Sequence, residues 1–301
     1  MSAPRIETDV ALGAETTYRV GGSVAYRVTI EEGDGSELAR VVAELGLPAV
    51  AVGQGSNLLV GDGRLALTVV RVLTDPASLV WRDAGGGVSV EVGAGWGLPV
   101  VARRLVRAGI TGFEWAVGIP GSVGGAVAMN AGGHGSSISE VLDAALVWRD
   151  GVADWIASDQ LDLSYRHSAI QPGDVVLRVR LALTWGDAQV AEGRLKEIVR
   201  WRRENQPGGA NAGSVFQNPA NDHAGRLLEA AGCKGLRRGG AVVSDKHANF
   251  ILTEPGGRAG DVLSLMREMR RRVALDAGVV LQTEHRLLGV EEGQWPADPL
   301  D

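Results

Sequence analysis

The chain has 301 residues, 45% of them hydrophobic, enough to bury a substantial core; since single cores rarely outgrow roughly 250 residues, this predicts two or three domains. A formal net charge of −6 excludes the broad basic surface that a nucleic-acid or anionic-membrane partner requires, though not a local basic pocket. The single cysteine, Cys233, has no internal disulfide partner; the start carries acidic residues and no apolar signal core, and no run approaches the roughly 18 apolar residues of a membrane span. Together these features predict a soluble cytoplasmic protein.

Residues 37–45 read as a helix. Residues 48–52, Pro-Ala-Val-Ala-Val, read as a strand running into Gly53-Gln54-Gly55, and residues 66–72 read as another. Val88, Val90 and Val92 alternate with polar residues before Gly93-Ala94-Gly95, the period-2 pattern of a half-buried strand. Residues 98–108 form the next predicted helix, with Gly109 as its stop. Val175, Leu177, Val179, Leu181 and Leu183 make the clearest alternation in the chain. A charged helix follows over 188–204 and ends before Gln206-Pro207, as the steric demand of proline requires. The main domain boundary is expected in that helix. Beyond it come a helix over 224–231 with Gly232 as stop and a strand over 248–253. An amphipathic helix then places Val262, Leu265, Met266, Met269 and Val273 on one face. Two strands, 279–283 and 286–290, flank Glu284. The class is α+β, with strands outnumbering helices and no repeat of fixed period.

The 43 glycines are about twice the usual ~7% and sit at the ends of apolar runs, where they mark tight turns or close backbone approach. Two of these turns are candidate anion nests. Gly53-Gln54-Gly55-Ser56-Asn57-Leu58 follows an apolar strand and offers backbone N–H groups with Ser56 and Asn57 as further donors. Gly118-Ile119-Pro120-Gly121-Ser122-Val123-Gly124-Gly125-Ala126 is the second. Two nests suit a pyrophosphate gripped from two sides, and neither matches a single Rossmann fingerprint or a P-loop. Each turn alone is as well explained by tight turning; it is the pair that points to a dinucleotide.

Both turns, together with Tyr165-Arg166-His167-Ser168, Ala212-Gly213-Ser214-Val215-Phe216-Gln217-Asn218-Pro219, Lys246-His247-Ala248-Asn249-Phe250-Ile251 and Glu284-His285-Arg286, resemble the UDP-N-acetylenolpyruvoylglucosamine reductase (MurB) family. Order and spacing match over roughly residues 15–290. The first motif is shared with other flavin enzymes; the Ser214 and Glu284 segments are more particular to the reductase. The resemblance implies a two-lobed FAD-binding domain of the vanillyl-alcohol-oxidase type, with lobes at 1–72 and 73–200, and a smaller α+β substrate-binding domain at 201–301. It implies FAD held by Gly53, Gly55, Ser56, Asn57, Leu58, Gly118, Ile119, Pro120, Gly121, Ser122, Gly124, Gly125 and Ala126, with NADPH as hydride donor. It also implies the reduction of an enolpyruvyl ether to a lactyl ether on a UDP-sugar, a step of peptidoglycan precursor synthesis. The protein is expected as a monomer or weak homo-oligomer.

That chemistry asks the protein to stabilise developing negative charge and to deliver one proton. Arg166 suits the first task, because a guanidinium holds a carboxylate or enolate in a planar fork and stays charged; a structural salt bridge is its commoner use. Ser214 carries the proton delivery in the family. Glu284, between apolar segments, would have a raised pKa if buried without a partner and could donate a hydrogen bond, or it pairs with Arg286. For the UDP pyrophosphate, Asn218, Lys246 and Arg202 are the leading candidates; Arg203 and the Lys234, Arg237 and Arg238 cluster follow, the last two reading as a solvated face. His247 has no companion at metal-ligand spacing, so no metal is expected. The only tyrosines are Tyr18, Tyr26 and Tyr165; without an inserted tyrosine lid, the chain resembles the shorter subclass. An FAD oxidase or dehydrogenase of the same fold acting on an alcohol or sugar lactone is the alternative, although no histidine precedes His134 to carry covalent flavin.

Overall fold

A computed structural model describes residues 4–31, 35–295 and 297–299; Met1, Ser2 and Ala3, part of the start expected to carry no signal core, lie outside them. Two compact units result: Met1–Thr8, Ala25–Gln54 and Ala66–Arg202 make the first, and Asp9–Val24, Gly55–Leu65 and Arg203–Asp301 the second. Among the described residues no helix is long and apolar enough to cross a membrane.

The first unit is built on an antiparallel sheet in the order Val152–Ala157, Leu142–Arg149, Val175–Trp185, Val88–Gly93, Val80–Asp83. The two alternating sequences meet in register: Val179 lies opposite Val92, Leu181 opposite Val90 and Leu183 opposite Val88. All six side chains are buried and form one core with helix Leu98–Arg107, through Val101, Ala102, Leu105 and Val106, and helix Val123–Ala128. This is the period-2 face of a sheet packed against the 3.6-period face of a helix. A second core joins Val28, Ile30, Leu38, Val41 and Val70 to Trp148, Val175 and Leu177. It is fed by helix Gly35–Leu45 and by a four-stranded sheet ordered Arg5–Val10, Ser23–Ile30, Arg64–Val72, Ala49–Ala51.

In the second unit, helix Ala259–Ala277 buries Val262, Leu265, Met266, Met269 and Val273, the face expected from their spacing. Gly278 ends it with φ of +66°, the left-handed cap that glycine adopts most cheaply. Around it lie helix Ala224–Ala230 and a small antiparallel sheet of Arg237–Arg238, Ala241–Val243 and Ile251–Thr253. Leu58–Val60 pairs in parallel with Arg286–Leu288.

Several elements differ from the sequence expectation, each for a visible reason. The strand expected at 248–253 begins only at Ile251, because Phe250 N–H turns back to the His247 carbonyl. The strand expected at 279–283 reduces to a single bridge, Thr283 with Phe216, and the Leu281 carbonyl accepts from Arg270 Nε instead of from a neighbouring strand. The strand expected at 286–290 ends at Leu288, because Gly289 turns the chain with φ of +69°. Residues 9–24 and 55–65, expected in the first lobe, group with the C-terminal residues.

Candidate active site

Gly53, which opens the first glycine turn, meets the second turn within the first unit. A Cβ added to Gly53 would sit 2.1 Å from Ser122 Oγ, so only glycine fits that contact. The Ser122 hydroxyl accepts from Gly125 N–H at 3.2 Å and caps the short helix that the second turn opens. Gly121 N-terminal to it has φ of +126°, and its carbonyl accepts from Leu98 N–H at 3.0 Å. Gly53, Pro120 and Gly125 lie exposed, whereas Gly118, Gly121, Ser122, Gly124 and Ala126 are buried and Ile119 is half-buried. The turns therefore show their backbones at the surface and root themselves in the core. Gly118 packs beneath the His134 ring, which meets Trp201 edge to face at 5.2 Å. Burial first, and the nearby Arg202 charge second, hold His134 below its ordinary pKa.

Arg166 sits in the same unit at the tip of a tight turn. Ser164 and His167 exchange both backbone hydrogen bonds, and Arg166 takes φ of +57° between them. Asn130 Nδ2 donates to the Ser164 carbonyl at 2.7 Å, and Ser168 Oγ donates to the Ala128 carbonyl at 2.9 Å. The turn is thus fastened to the stretch that directly follows the second glycine turn. Arg166 Nη2 donates to the Gly132 carbonyl at 3.1 Å, and the guanidinium lies over the Tyr165 ring. A non-glycine residue held in the left-handed region by surrounding hydrogen bonds is a position the fold over-determines.

The second unit brings Ser214 and Glu284 onto neighbouring extended segments joined by the Phe216–Thr283 bridge. Asn211 Oδ1 accepts from Gly213 N–H at 3.0 Å, and Gly213, with φ of +83°, turns the chain so that Ser214 is half-buried ahead of the core residues Val215 and Phe216. Glu284 N–H donates to the Val215 carbonyl at 2.8 Å, and Gln217 N–H to the Gln282 carbonyl at 2.9 Å. Asn249 fixes the other edge: its Oδ1 accepts from Phe216 N–H at 2.9 Å, while its Nδ2 donates to the Phe216 carbonyl at 2.8 Å. This buried residue was not singled out from the sequence, although it stands inside the Lys246–Ile251 segment quoted there. A side-chain amide carries one acceptor and one donor group, matching the N–H and C=O of a single residue, which is why asparagine serves this place.

The remaining candidates are placed as follows. Asn57 does not offer its side-chain N–H groups outward as an anion nest would: Nδ2 donates to the Glu284 carbonyl at 2.9 Å, and Oδ1 faces His285 Nδ1 at 2.9 Å. Its neighbours Gly55 and Ser56 are half-buried and Leu58 is buried. Asn218 Oδ1 accepts from Ala224 N–H at 3.0 Å at the start of helix Ala224–Ala230. Lys246 is exposed, with Nζ donating to the Arg203 carbonyl at 2.6 Å. Arg202 is half-buried in the first unit, and burial lowers its pKa. Arg237 pairs with Glu254, and both it and Arg238 are exposed. Among the described residues no group of three His, Cys, Asp or Glu side chains could hold a metal ion.

Residues 27–152 match the FAD-binding-domain family, so this fold with its paired glycine turns defines an FAD-binding flavoprotein. Residues 205–288 match the family described as UDP-N-acetylenolpyruvoylglucosamine reductase, C-terminal domain. The chain is 41% identical to UDP-N-acetylenolpyruvoylglucosamine reductase of Acidiphilium cryptum over 290 residues, covering 95% of this chain and 92% of that one. It is 40% identical to the reductase of Heliobacterium modesticaldum, covering 94% and 90%. The crystal structure of the reductase of Thermus caldophilus superposes with a TM-score of 0.81 at 37% identity, covering 95% of this chain and 99% of that one. The chain belongs to the UDP-N-acetylenolpyruvoylglucosamine reductase family.

The residues present fit FAD. Gly53 and Gly125 leave bare backbone where a Cβ would intrude, next to a hydroxyl and uncharged N–H groups, the donor set a pyrophosphate accepts. Gly53→Ala is expected to displace Ser122, uncap the following helix and weaken flavin retention about tenfold or more, since overpacking and loss of a cap each cost about 1–2 kcal/mol. Flavin released on dialysis measures this, and an alanine variant that stays fully yellow would refute it.

Proposed function

We propose that the chain is an FAD-dependent reductase that uses NADPH to convert UDP-N-acetylenolpyruvoylglucosamine to UDP-N-acetylmuramate, in cytoplasmic peptidoglycan precursor synthesis. The observation that carries this reading is the pairing of the segments that hold Ser214 and Glu284, which sets a hydroxyl and a carboxyl on neighbouring backbones in a chain of this family. The overall reaction adds a hydride to the terminal carbon of the enolpyruvyl double bond and a proton to the neighbouring carbon, while NADPH becomes NADP+. Bound FAD supplies a two-electron carrier between nucleotide and substrate.

The protein's own tasks follow from where charge develops. Hydride addition leaves negative charge on the carbon next to the substrate carboxylate. Arg166, always cationic and held by its turn, stabilises that charge. Ser214 gives its hydroxyl proton to the carbon and regains one from water. Glu284 hydrogen-bonds the same developing charge from the segment beside Ser214. Asn218, Lys246 and Arg202 hold the UDP moiety, and the glycine turns hold the cofactor pyrophosphate. The negative net charge fits a protein that works without nucleic acid or membrane, as a monomer or weak homo-oligomer.

Stopped-flow flavin spectroscopy with the two substrates supplied separately tests the reading. NADPH should bleach the flavin, and UDP-N-acetylenolpyruvoylglucosamine should restore its colour at a rate compatible with turnover. Sustained NADPH oxidation without the UDP-sugar, or bleaching by a simple alcohol, would count decisively against it.

A further inference from the structure

The second unit buries two polar rings that the proposed reaction leaves idle. Tyr18 and His285 both lie in the core, their rings edge to face at 5.5 Å. The Tyr18 hydroxyl is 2.9 Å from His285 Nε2, His285 Nδ1 is 2.9 Å from Asn57 Oδ1, and Asn57 Nδ2 is 2.9 Å from the Glu284 carbonyl. Four groups from three distant stretches of sequence form one chain of hydrogen bonds.

The position of each proton follows from elementary chemistry. A carbonyl only accepts, so the Asn57 nitrogen must face Glu284; the Asn57 oxygen then faces His285 and can only accept in turn. The hydrogen on the imidazole is therefore on Nδ1. In a neutral ring Nε2 is bare, and it accepts from the Tyr18 hydroxyl. Burial keeps the ring neutral, pushing His285 down to about 3, and pushes Tyr18 above its ordinary range. Every polar atom along the line is satisfied in one arrangement only, and a satisfied buried network specifies position in a way an apolar pair does not. Backbone contacts lock the same place: Arg286 N–H donates to the Asn57 carbonyl at 3.0 Å, and Thr253 Oγ1 donates to the Tyr18 carbonyl.

We infer that Tyr18, His285 and Asn57 are positioning residues that fix the Glu284 backbone, and so its carboxyl, beside the Ser214 segment. None of the three delivers protons to substrate. Asn57 stands in the sequence of the first glycine turn, and its amide spans His285 and the Glu284 carbonyl within the second unit. The inference rests on the reading of Glu284 given above.

Three flavin-loaded variants test it by stopped flow: Tyr18→Phe, His285→Leu and Glu284→Gln. In the first two, flavin content, flavin reduction by NADPH and the UDP-sugar concentration giving half-saturation should hold, while the limiting rate of flavin reoxidation falls about tenfold or more, the penalty of a small misplacement. Unchanged reoxidation in both, with Glu284→Gln slow, overturns the positioning role and spares the reading of Glu284. Unchanged reoxidation in Glu284→Gln overturns that reading itself. Nitrogen-15 spectra of the histidine-labelled wild type read the chain directly and require no variant to fold. Of the five histidines, His285 should show a hydrogen on Nδ1 and stay neutral down to pH about 5. A hydrogen on its Nε2 would reverse the deduced chain and refute it.

Discussion

Ser214→Ala is expected to leave reduction of the bound flavin by NADPH intact and to slow reoxidation by the UDP-sugar about 10²-fold or more, the usual worth of a placed general acid. The frame that presents Ser214 does not use its hydroxyl. Asn211 and Gly213 make the turn, Asn249 clamps Phe216 on one edge, and the Val215 carbonyl takes Glu284 N–H on the other. Removing one oxygen from a half-buried position therefore changes the chemistry available more than the fold, and the unfolding midpoint should move little. The contrast between half-reactions is what gives the result its meaning. A serine that merely shaped the turn would slow both steps or neither; a proton donor slows only the step that takes up a proton. Ser214→Cys offers a further check, since a weaker hydrogen-bonding but more acidic group in the same place should retain part of the rate.

Much of the fold was legible because local rules decided it. The alternation at Val88–Val92 and Val175–Leu183 meets in register across two strands, and helices end where Gly109 and Gly232 turn the chain with positive φ. Pairing between distant segments was not legible. Leu58–Val60 and Arg286–Leu288 are apolar triplets too short to carry a period, and their parallel pairing moves residues 55–65 into the C-terminal unit. The segments around Ser214, Asn249 and Glu284 were noticed as motifs, but that Asn249 would clamp Phe216, two residues after Ser214, by a two-way amide pair depends on a contact 33 residues away in sequence. Tyr18 gave no signal at all. A tyrosine near a glycine pair reads as ordinary core, and only its partner His285, 267 residues later, makes its hydroxyl informative. Asn57 was read as an outward donor because turns of that composition often bind anions, whereas here its amide is committed inward.

The same buried histidine should make the second unit sensitive to acid well above the range where carboxylates titrate. In the unfolded chain an imidazole takes a proton near its ordinary pKa of 6.5, while in the fold burial holds His285 down to about 3. Between those values the unfolded state binds the extra proton. Stability is therefore whole above pH 6.5 and drains away as pH falls, at up to about 1.4 kcal/mol per pH unit. At pH 4.5, two units below the ordinary value, the loss through His285 alone is about 2.7 kcal/mol. His247 and His134, also lowered mainly by burial, act in the same direction. The paired Glu268, held at about 2 by Arg271 and Arg272, gives up its contribution only lower, as pH falls below its ordinary 4.5. The charged chain neighbours of His285 are Glu284 and Arg286, one of each sign, so burial and not a local field governs the ring. Urea unfolding of the flavin-loaded protein between pH 7 and 4.5 measures this. Wild type should lose stability with a slope approaching one more proton taken up than Tyr18→Phe/His285→Leu, in which the ring and the hydroxyl facing it are removed together. Equal slopes in the two proteins would mean that His285 is protonated within the fold. Since Asn57 Oδ1 can face only one ring hydrogen, such a result would also require the Tyr18 hydroxyl to have surrendered its role as donor.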